Sequence, residues 1–547
     1  MQAHKTRINE QRKKEYREKG YWGDATLLDY WKMSVLSAPA KIAVIDFQGK
    51  SYTYAELDLA AGKVASYLKE AGVVPGDFVS LQLPGWSEFT VVYIACLKVG
   101  AVVNPLMPSF RRGELTHKLN KCRSKVLFIP GTFRNFNHIA LAQELLDKIA
   151  TLQRVVVVAK ENKDIQSEFD TLENIIASYP PLEKCATVSA DDVAVVLFTS
   201  GTESYAKGVM LTHNNLAANK KGFINRLKFS SIDVMMMPVP LAHATGLMYG
   251  VTIPLLLGAK SVLLDKFSAE NCLTLIEREK CTCGMGPTTI VHDILSLLKK
   301  QSYDISSLRY LLCGGAPIPR KISEDAMHLG IKLLSVYGAT ESAPHCIVPE
   351  DAPLEKVITT DGTPIPGVEI RVVDKLHRPV PLGVEGEESS RGPNVFVGYL
   401  GEPELTESAL DEDGWYYSGD LGVMDNDGYL RITGRKKDII IRGGENISSV
   451  EVENILARYP NIREAGVVGM SDERLGERIC AYVVPENFAE KIGLQDIQGL
   501  FVQMGVSKCK CPERIEILDK LPKTESGKIK KYLLRKEIEE KLKVFSC

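Results

Sequence analysis

The stretch VAVVLFTSGTESYAKGVMLTH, Val193 to His213, joins a short apolar run to a loop rich in hydroxyls. Val193 to Phe198 are six apolar residues of the kind that fill a buried strand, and the run stops at Thr199-Ser200-Gly201-Thr202. The loop beyond offers three hydroxyls, the backbone N–H groups that Gly201 and Gly208 leave open, and the charge of Lys207. That combination suits a polyphosphate. It is not the GxxxxGK(S/T) phosphate loop, because Lys207 precedes its glycine and six residues separate Gly201 from Gly208. Taken alone, the same stretch is equally a hydroxyl-rich surface turn.

The flanking sequence alternates strand-like and helix-like segments. Upstream, KIAVIDF (41–47) reads as a strand, and Leu57, Ala60, Ala61, Val64, Ala65 and Leu68 recur at helical spacing. Phe78 to Leu83 is again strand-like, and a helix through Phe89 to Val99 closes at Gly100. The pattern repeats at Lys125–Ile129 and Arg154–Ala159, so the first 190 residues read as one layered α/β unit around a parallel sheet. Downstream, Thr212 is placed to cap a helix from Asn214 toward Leu227. Val234 to Ala259 contains no Lys, Arg, Asp or Glu, yet Pro238, Pro240 and Pro254 argue against a membrane-spanning helix. The stretch is expected to be buried interior lining a pocket.

With 547 residues, 45% hydrophobic and 25% charged, the chain has the composition of a globular protein of three or four folding modules. A formal net charge of -2 gives no reason to expect nucleic acid or an anionic membrane as partner. The 12 cysteines are scattered, and the closest pairs, Cys281/Cys283 and Cys509/Cys511, are CxC rather than CxxC. They read as reduced thiols, and with no apolar segment after the charged first twenty residues the expected compartment is the cytoplasm.

Further loops repeat nucleotide chemistry. Cys313-Gly314-Gly315-Ala316-Pro317 follows a strand-like run and allows close backbone approach by a flat ring. In LLSVYGATE (333–341), Tyr337 can stack on a base, Thr340 can donate to a phosphate, and Glu341 offers a hard oxygen to Mg²⁺. Ser418-Gly419-Asp420 and Gly434-Arg435-Lys436-Lys437-Asp438 supply an acceptor for a ribose diol and a cation beside it. After Gly443-Gly444-Glu445-Asn446 the texture changes to a small domain. Ser448 and Glu451 form a capping-box pattern, and strand candidates follow at Ala465–Met470, Ile479–Val484 and Arg514–Leu518. The loop Pro522-Lys523-Thr524-Glu525-Ser526-Gly527-Lys528 presents a lysine before a closing helix with Leu534, Ile538 and Leu542 on one face. His243, in Pro240-Leu241-Ala242-His243, is either a core histidine or a ligand-facing one.

Together, TSGT…KG, PLAH, CGGAP, YGATE, SGD, GRKKD, GGEN and PKTESGK resemble, in order and spacing, the motifs of the adenylate-forming superfamily of acyl-CoA synthetases, luciferases and stand-alone adenylation domains. The resemblance runs from Trp22 to Leu534. Glu203, Ser204 and Ala206 depart from it, standing where the general TSGTTGxPKG pattern has Thr, Gly and Pro. Within the superfamily the chain most resembles the medium-chain fatty-acid–CoA ligases of enteric bacteria, on LPGWSEFTVVYIACLKVGA, LCGGAPIP, LLSVYGATES and GRKKDIIIRGGENIS.

The resemblance implies an α/β fold: a large layered N-terminal domain of α/β subdomains, residues 1–434, and a small mobile α+β C-terminal domain, residues 435–547, hinged at Lys437. It implies phosphate contacts from Thr199, Ser200, Thr202 and Lys207 and adenine packing at Gly315, Ala316 and Tyr337, with Gly201, Pro317, Gly338 and Thr340 also among the cofactor-binding residues. Asp420 and Arg435 would meet the ribose, Glu341 would hold Mg²⁺, and Gly443 and Gly444 would face the pantetheine of coenzyme A. Lys528 and His243 are the implied catalytic residues, His243 beside the acyl carboxylate.

The implied activity is that of an ATP-dependent acid–thiol ligase, which activates a short- or medium-chain fatty acid as acyl-AMP and passes the acyl group to CoA. Amino-acid-activating relatives carry an aspartate near the position of His243, whereas Ala244 follows it here, so an unsubstituted acid is favoured. A carrier protein as acceptor, an alicyclic or aryl acid as substrate, and a non-catalytic nucleotide-binding protein stay open. Small molecules are the expected partners, with no nucleic acid and no transmembrane segment, and a homodimer is left open.

Overall fold

The computed structural model describes residues 9–159, 168–199, 206–315, 318–442, 445–472, 475–504, 508–524 and 527–545. Ser200, Gly201, Thr202, Ala316, Pro317, Gly443 and Gly444 lie outside these residues.

Two large sheets carry the N-terminal domain. In the seven-stranded sheet the order is Gly208–Thr212, Val193–Phe198, Val102–Pro105, Phe78–Leu81, Val126–Pro130, Arg154–Val158 and Asp170–Thr171. All of its pairings are parallel except the one between Val193–Phe198 and Gly208–Thr212. In the nine-stranded sheet the strands Leu333–Ala339, Tyr310–Gly314, Cys283–Gly286, Val234–Met237, Lys260–Leu263 and Ile42–Asp46 run parallel in that spatial order. The helix Ser87–Val99 touches strands of both sheets and is buried along its whole length, as expected of a helix that is apolar on nearly every side. It ends at Gly100, whose φ of 71° closes the helix in the left-handed region.

One expectation fails here. Ile42–Asp46 does not join the sheet of Phe78–Leu81, so the first 190 residues are not a single layered unit. The strand pairs instead with Lys260–Leu263, more than two hundred residues on, because its apolar face packs against the core shared with the buried helix Ser87–Val99.

The strand Val193–Phe198 and the helix His213–Leu227 form where the sequence predicts them, the helix capped by Thr212 in a capping box with Asn215. Val234–Ala259 is interior. It breaks into the strand Val234–Met237, a short helix Ala244–Leu247, a π-helical turn Met248–Thr252 and the helix Ile253–Leu257. No helix among the described residues is long and apolar enough to cross a membrane.

A four-stranded antiparallel sheet, Glu369–Val373, Gly386–Arg391, Tyr416–Met424 and Leu430–Arg435, completes the large domain. After a single 3₁₀ turn, Lys436–Asp438, the chain enters the five-stranded sheet of the smaller C-terminal domain. Its strands include Ile462–Asp472, Gly476–Pro485 and Arg514–Ile517. The closing helix Lys531–Phe545 buries Leu534 and Ile538 against this domain's own core, with Leu542 packed beside them.

Candidate active site

Three loops leave the carboxyl ends of strands on one side of the large domain, where open parallel sheets bind ligands. They follow Val193–Phe198, Tyr310–Gly314 and Leu333–Ala339. At the first, the backbone N–H of Thr199 donates to the carbonyl of Lys207 at 3.0 Å, which fixes the mouth of the hydroxyl-rich loop. The Lys207 ammonium lies 5.0 Å from the centre of the Tyr399 ring. Tyr399 is held there because Leu400 N–H donates to the carbonyl of Gly208. Its hydroxyl donates to Glu341 Oε1 at 2.8 Å, so one tyrosine connects the phosphate-loop lysine to the carboxylate of the third loop.

Glu341 is 9% exposed. Among the described residues no group of three or more His, Cys, Asp and Glu is placed to hold a metal. A single carboxylate with one oxygen oriented by Tyr399 fits Mg²⁺, which takes one or two protein carboxylates and completes its shell with substrate phosphates and water.

The four-stranded sheet contributes Asp420 and Arg435, opposite each other in register on neighbouring strands. Arg435 Nε lies 2.8 Å from Asp420 Oδ1 as an ion pair without hydrogen-bond geometry, so Oδ1 accepts no hydrogen bond from a described residue. Burial raises the pKa of Asp420, while Arg435 and Lys528 pull against that rise. Its other oxygen accepts from Tyr337 Oη at 3.0 Å. Tyr337 itself is half-buried, and Gly338 follows it where the strand bends so closely on Ala343 and Pro344 that a side chain has no room. Thr340 is half-buried next to Glu341.

The C-terminal domain closes the site. Thr524 N–H donates to the Lys528 carbonyl at 2.8 Å and Gly527 N–H to the Thr524 carbonyl at 2.9 Å, a tight loop that ends at Lys528. Gly527 has φ +83°, and a Cβ there would lie 2.8 Å from Thr289 Oγ1 of the large domain, so both the turn and the docking require glycine. Lys528 Cε reaches within 3.9 Å of where Gly315 would carry a Cβ. Burial and Arg435 push the Lys528 amine down to about 8, with Asp420 and Glu341 opposing and Lys437 adding to the fall.

His243 caps the short helix Ala244–Leu247, its Nδ1 accepting from Thr245 N–H at 3.3 Å. Burial, then the nearby Lys528 charge, hold its pKa down to about 4. At neutral pH it is an uncharged imidazole with its hydrogen on Nε2, a donor suited to a carboxylate oxygen.

The model of the AMP-binding enzyme family matches residues 32–400, and that of the AMP-binding enzyme C-terminal domain matches residues 451–528. The chain belongs to the AMP-binding enzyme family. A medium-chain fatty-acid–CoA ligase of Escherichia coli (strain K12) is 52% identical over 540 residues, covering 99% of this chain and 95% of that protein. A feruloyl-CoA synthase of an Amycolatopsis species is 35% identical over 490 residues, 89% of this chain and 94% of the relative. The crystal structure of ATP-bound MatB from Rhodopseudomonas palustris superposes with a TM-score of 0.86 at 29% identity, covering 95% of this chain and 99% of that one.

For an AMP-binding enzyme, the residues singled out from sequence converge to a large degree. Lys528 lies close to Arg435, Asp420, Glu341, His243 and Gly315, Tyr337 meets Asp420, and Lys207 reaches Glu341 through Tyr399. Three neighbours of these residues carry no sequence signal. Tyr399 sits in a stretch with no loop signature, and His345 and Glu388, which back Tyr337, are interior residues that no spacing rule singles out. The strand GEESSR buries two adjacent glutamates, Glu387 and Glu388, against the usual exposure of that residue type, and only the tertiary structure shows it.

Proposed function

We propose that the chain is an ATP-dependent acid–thiol ligase that activates a short- or medium-chain fatty acid as acyl-AMP and then passes the acyl group to CoA. The observation that carries this reading is the meeting of Lys528, from the small domain, with Glu341, Asp420 and His243 of the large one and with Arg435 at the boundary between them. A carboxylate is a poor acyl donor until its oxygen becomes a leaving group, and attack on the α-phosphate of ATP achieves that with release of pyrophosphate. Lys528 lies where charge builds between carboxylate and phosphate, and a preorganised cation there lowers the barrier. His243 Nε2–H orients the acyl carboxylate, and the open Oδ1 of Asp420 accepts from the ribose. Thr199, Lys207 and the loop between them hold the outer phosphates. Glu341, oriented by Tyr399, would hold Mg²⁺, which neutralises phosphate charge when bound.

The domain division we adopt is 1–434 and 435–547 with the pivot at Lys437, supported by the single 3₁₀ turn Lys436–Asp438 that separates the two sheets. In the second half-reaction the CoA thiol attacks the mixed anhydride and expels AMP, once rotation at Lys437 has withdrawn Lys528 and brought Gly443-Gly444 to the thiol. Free thiols buried in the core, such as Cys96, Cys122, Cys272 and Cys313, and the need for ATP and CoA, fit the cytoplasm. The acyl preference rests on the 52% identical relative and on the uncharged, largely buried stretch that follows His243.

The test is a panel of acids from acetate to palmitate, with benzoate and cyclohexanecarboxylate, assayed for CoA- and ATP-dependent AMP formation. Each buried CH₂ contributes about 0.8 kcal/mol until the pocket ends, so activity should rise to acids of roughly six to ten carbons and then stop rising. A clear preference for benzoate or palmitate, or a phosphopantetheinylated carrier as better acceptor than CoA, would replace this reading.

A further inference from the structure

Behind Tyr337 and Asp420 lies a pair of ionisable groups to which the ligase reading assigns no work. His345, on the strand Ala343–Ile347, and Glu388, on Gly386–Arg391, are both 0% exposed, with Nε2 and Oε1 3.3 Å apart. Their protons can be counted from geometry. His345 Nδ1 lies 3.0 Å from the carbonyl oxygen of Ala343, and a carbonyl only accepts, so Nδ1 carries a hydrogen. The contact between Nε2 and Glu388 then needs one more proton, on the imidazole or on the carboxyl, because two bare acceptors would repel. The second oxygen of Glu388 lies 3.1 Å from Tyr337 Oη, which is also 3.0 Å from Asp420 Oδ2. One phenol proton thus faces two carboxylates, away from water.

If both carboxylates were bare anions, they would repel across that single hydroxyl, and one would take up a proton. A proton on Asp420 would compete with its role as acceptor of the ribose hydroxyls. We propose that His345 and Glu388 are positioning residues for the nucleotide: the pair holds one shared proton, removes one of the two negative charges, and keeps Asp420 an ionised acceptor with Tyr337 fixed between them. The proposal rests on the assignment of Asp420 to the ribose in the ligase reading.

The other groups around the pair fit this charge count. Burial keeps the Tyr337 and Tyr416 phenols and the Cys346 thiol in their neutral forms. Asp361, behind Asp420, has its pKa raised by burial while accepting from Ile432 N–H and Ser335 Oγ. On the positive side, Arg435 and Lys528 face Asp420, and Arg226 faces Cys346. Among the described residues the ionic contact of Glu388 is with His345.

The experiment is AMP binding by calorimetry on the full chain, from pH 6 to pH 8.5, for wild type, His345→Asn, Glu388→Gln and the double variant. Asparagine can still donate to the Ala343 carbonyl but cannot carry the shared proton. His345→Asn should bind AMP at least tenfold more weakly at pH 8 and recover as the pH falls, since a proton from solvent then replaces the missing one. Glu388→Gln should bind within about threefold of wild type, because its amide donates to Nε2 and its oxygen accepts from Tyr337, the pattern of the neutral pair. In the double variant the uncompensated charge is gone, so affinity and a flat pH profile should return; a merely structural role predicts two additive losses instead. A double variant that fails to fold, or that binds no better than His345→Asn, overturns the proposal, as does a His345→Asn that binds like wild type at every pH. If wild type itself neither binds AMP nor forms acyl-AMP, the ligase reading fails instead.

Discussion

Replacing Lys528 by alanine removes the cation that the small domain inserts into the cleft, and the structure sets two magnitudes for the effect. Burial and Arg435 bring its amine down to about 8, against the pull of Asp420 and Glu341. At pH 7 about ten amines in eleven are therefore charged, and at pH 9 about one in eleven. The working form is the ammonium, so wild-type adenylation is retained below this pKa and lost as pH rises through it. kcat/KM for adenylation, which reports the free enzyme, should fall about tenfold per pH unit beyond about 8. An ordinary lysine near 10.5 would hold activity some two units further. The second magnitude is the loss of the charge. Two unit charges at about 4 Å in a medium of effective dielectric about 20 interact by about 4 kcal/mol, which matches the 10²–10³-fold cost, in order of magnitude, of deleting one preorganised donor. Single-turnover acyl-AMP formation between pH 6 and 10, with thioester formation from supplied acyl-AMP and CoA measured in parallel, reads both. Adenylation by Lys528→Ala within tenfold of wild type would refute the assignment, and so would a wild-type profile flat to pH 10. Equal losses in both half-reactions would point to a damaged C-terminal domain instead.

Three further outcomes follow from named residues. Lys437 occupies the middle of the 3₁₀ turn Lys436–Asp438, where φ near roughly -60° already suits proline, and Arg535 donates to its carbonyl at 3.2 Å and to Asp438 at 2.8 Å. Lys437→Pro should thus leave acyl-AMP formation in place and slow thioester release strongly; single-turnover assays that find both steps slowed alike, or neither, rule the pivot out. Ser204→Gly with Ala206→Pro restores the general form of the phosphate loop and should leave AMP formation unchanged or raised, and a fall of more than about tenfold, on the order of 1.4 kcal/mol, would mean that this loop has its own adapted geometry. Lys220 is fully enclosed, its amine 4.4 Å and 4.8 Å from the rings of Tyr249 and Phe223 and without a hydrogen-bond partner among the described residues. Burial drives its pKa well below 10.5, so in the window between that depressed value and 10.5 the unfolded chain binds a proton that the folded chain does not. Stability should rise there by about 1.4 kcal/mol per pH unit from this group, and Lys220→Met should abolish that slope and stabilise the protein at pH 7 by on the order of 1–4 kcal/mol. Denaturant midpoints across pH measure it, and a destabilised Lys220→Met would mean that the amine has a partner.

Local order was readable from the chain alone. The apolar run Val193–Phe198, the cap at Thr212, the glycine that closes Ser87–Val99 and the apolar face of the last helix all act over a few residues, through burial of one face or satisfaction of one helix end. The loops at the strand ends were readable for the same reason, since hydroxyls, glycines and a lysine at short spacing already state what they can bind. What no local pattern encodes is which strand lies beside which. Ile42–Asp46 has the same alternation whether it joins Phe78–Leu81 or Lys260–Leu263, and only the burial of its face against the common core decides for the latter. The same holds for chemistry built across the chain. Lys528 approaches Gly315 through the docking of Gly527 on Thr289, Tyr399 reaches Glu341 because its segment pairs with the strand after the phosphate loop, and Glu388 finds His345 across two sheets. Each contact spans tens to hundreds of residues, so its existence depends on how the sheets and domains pack.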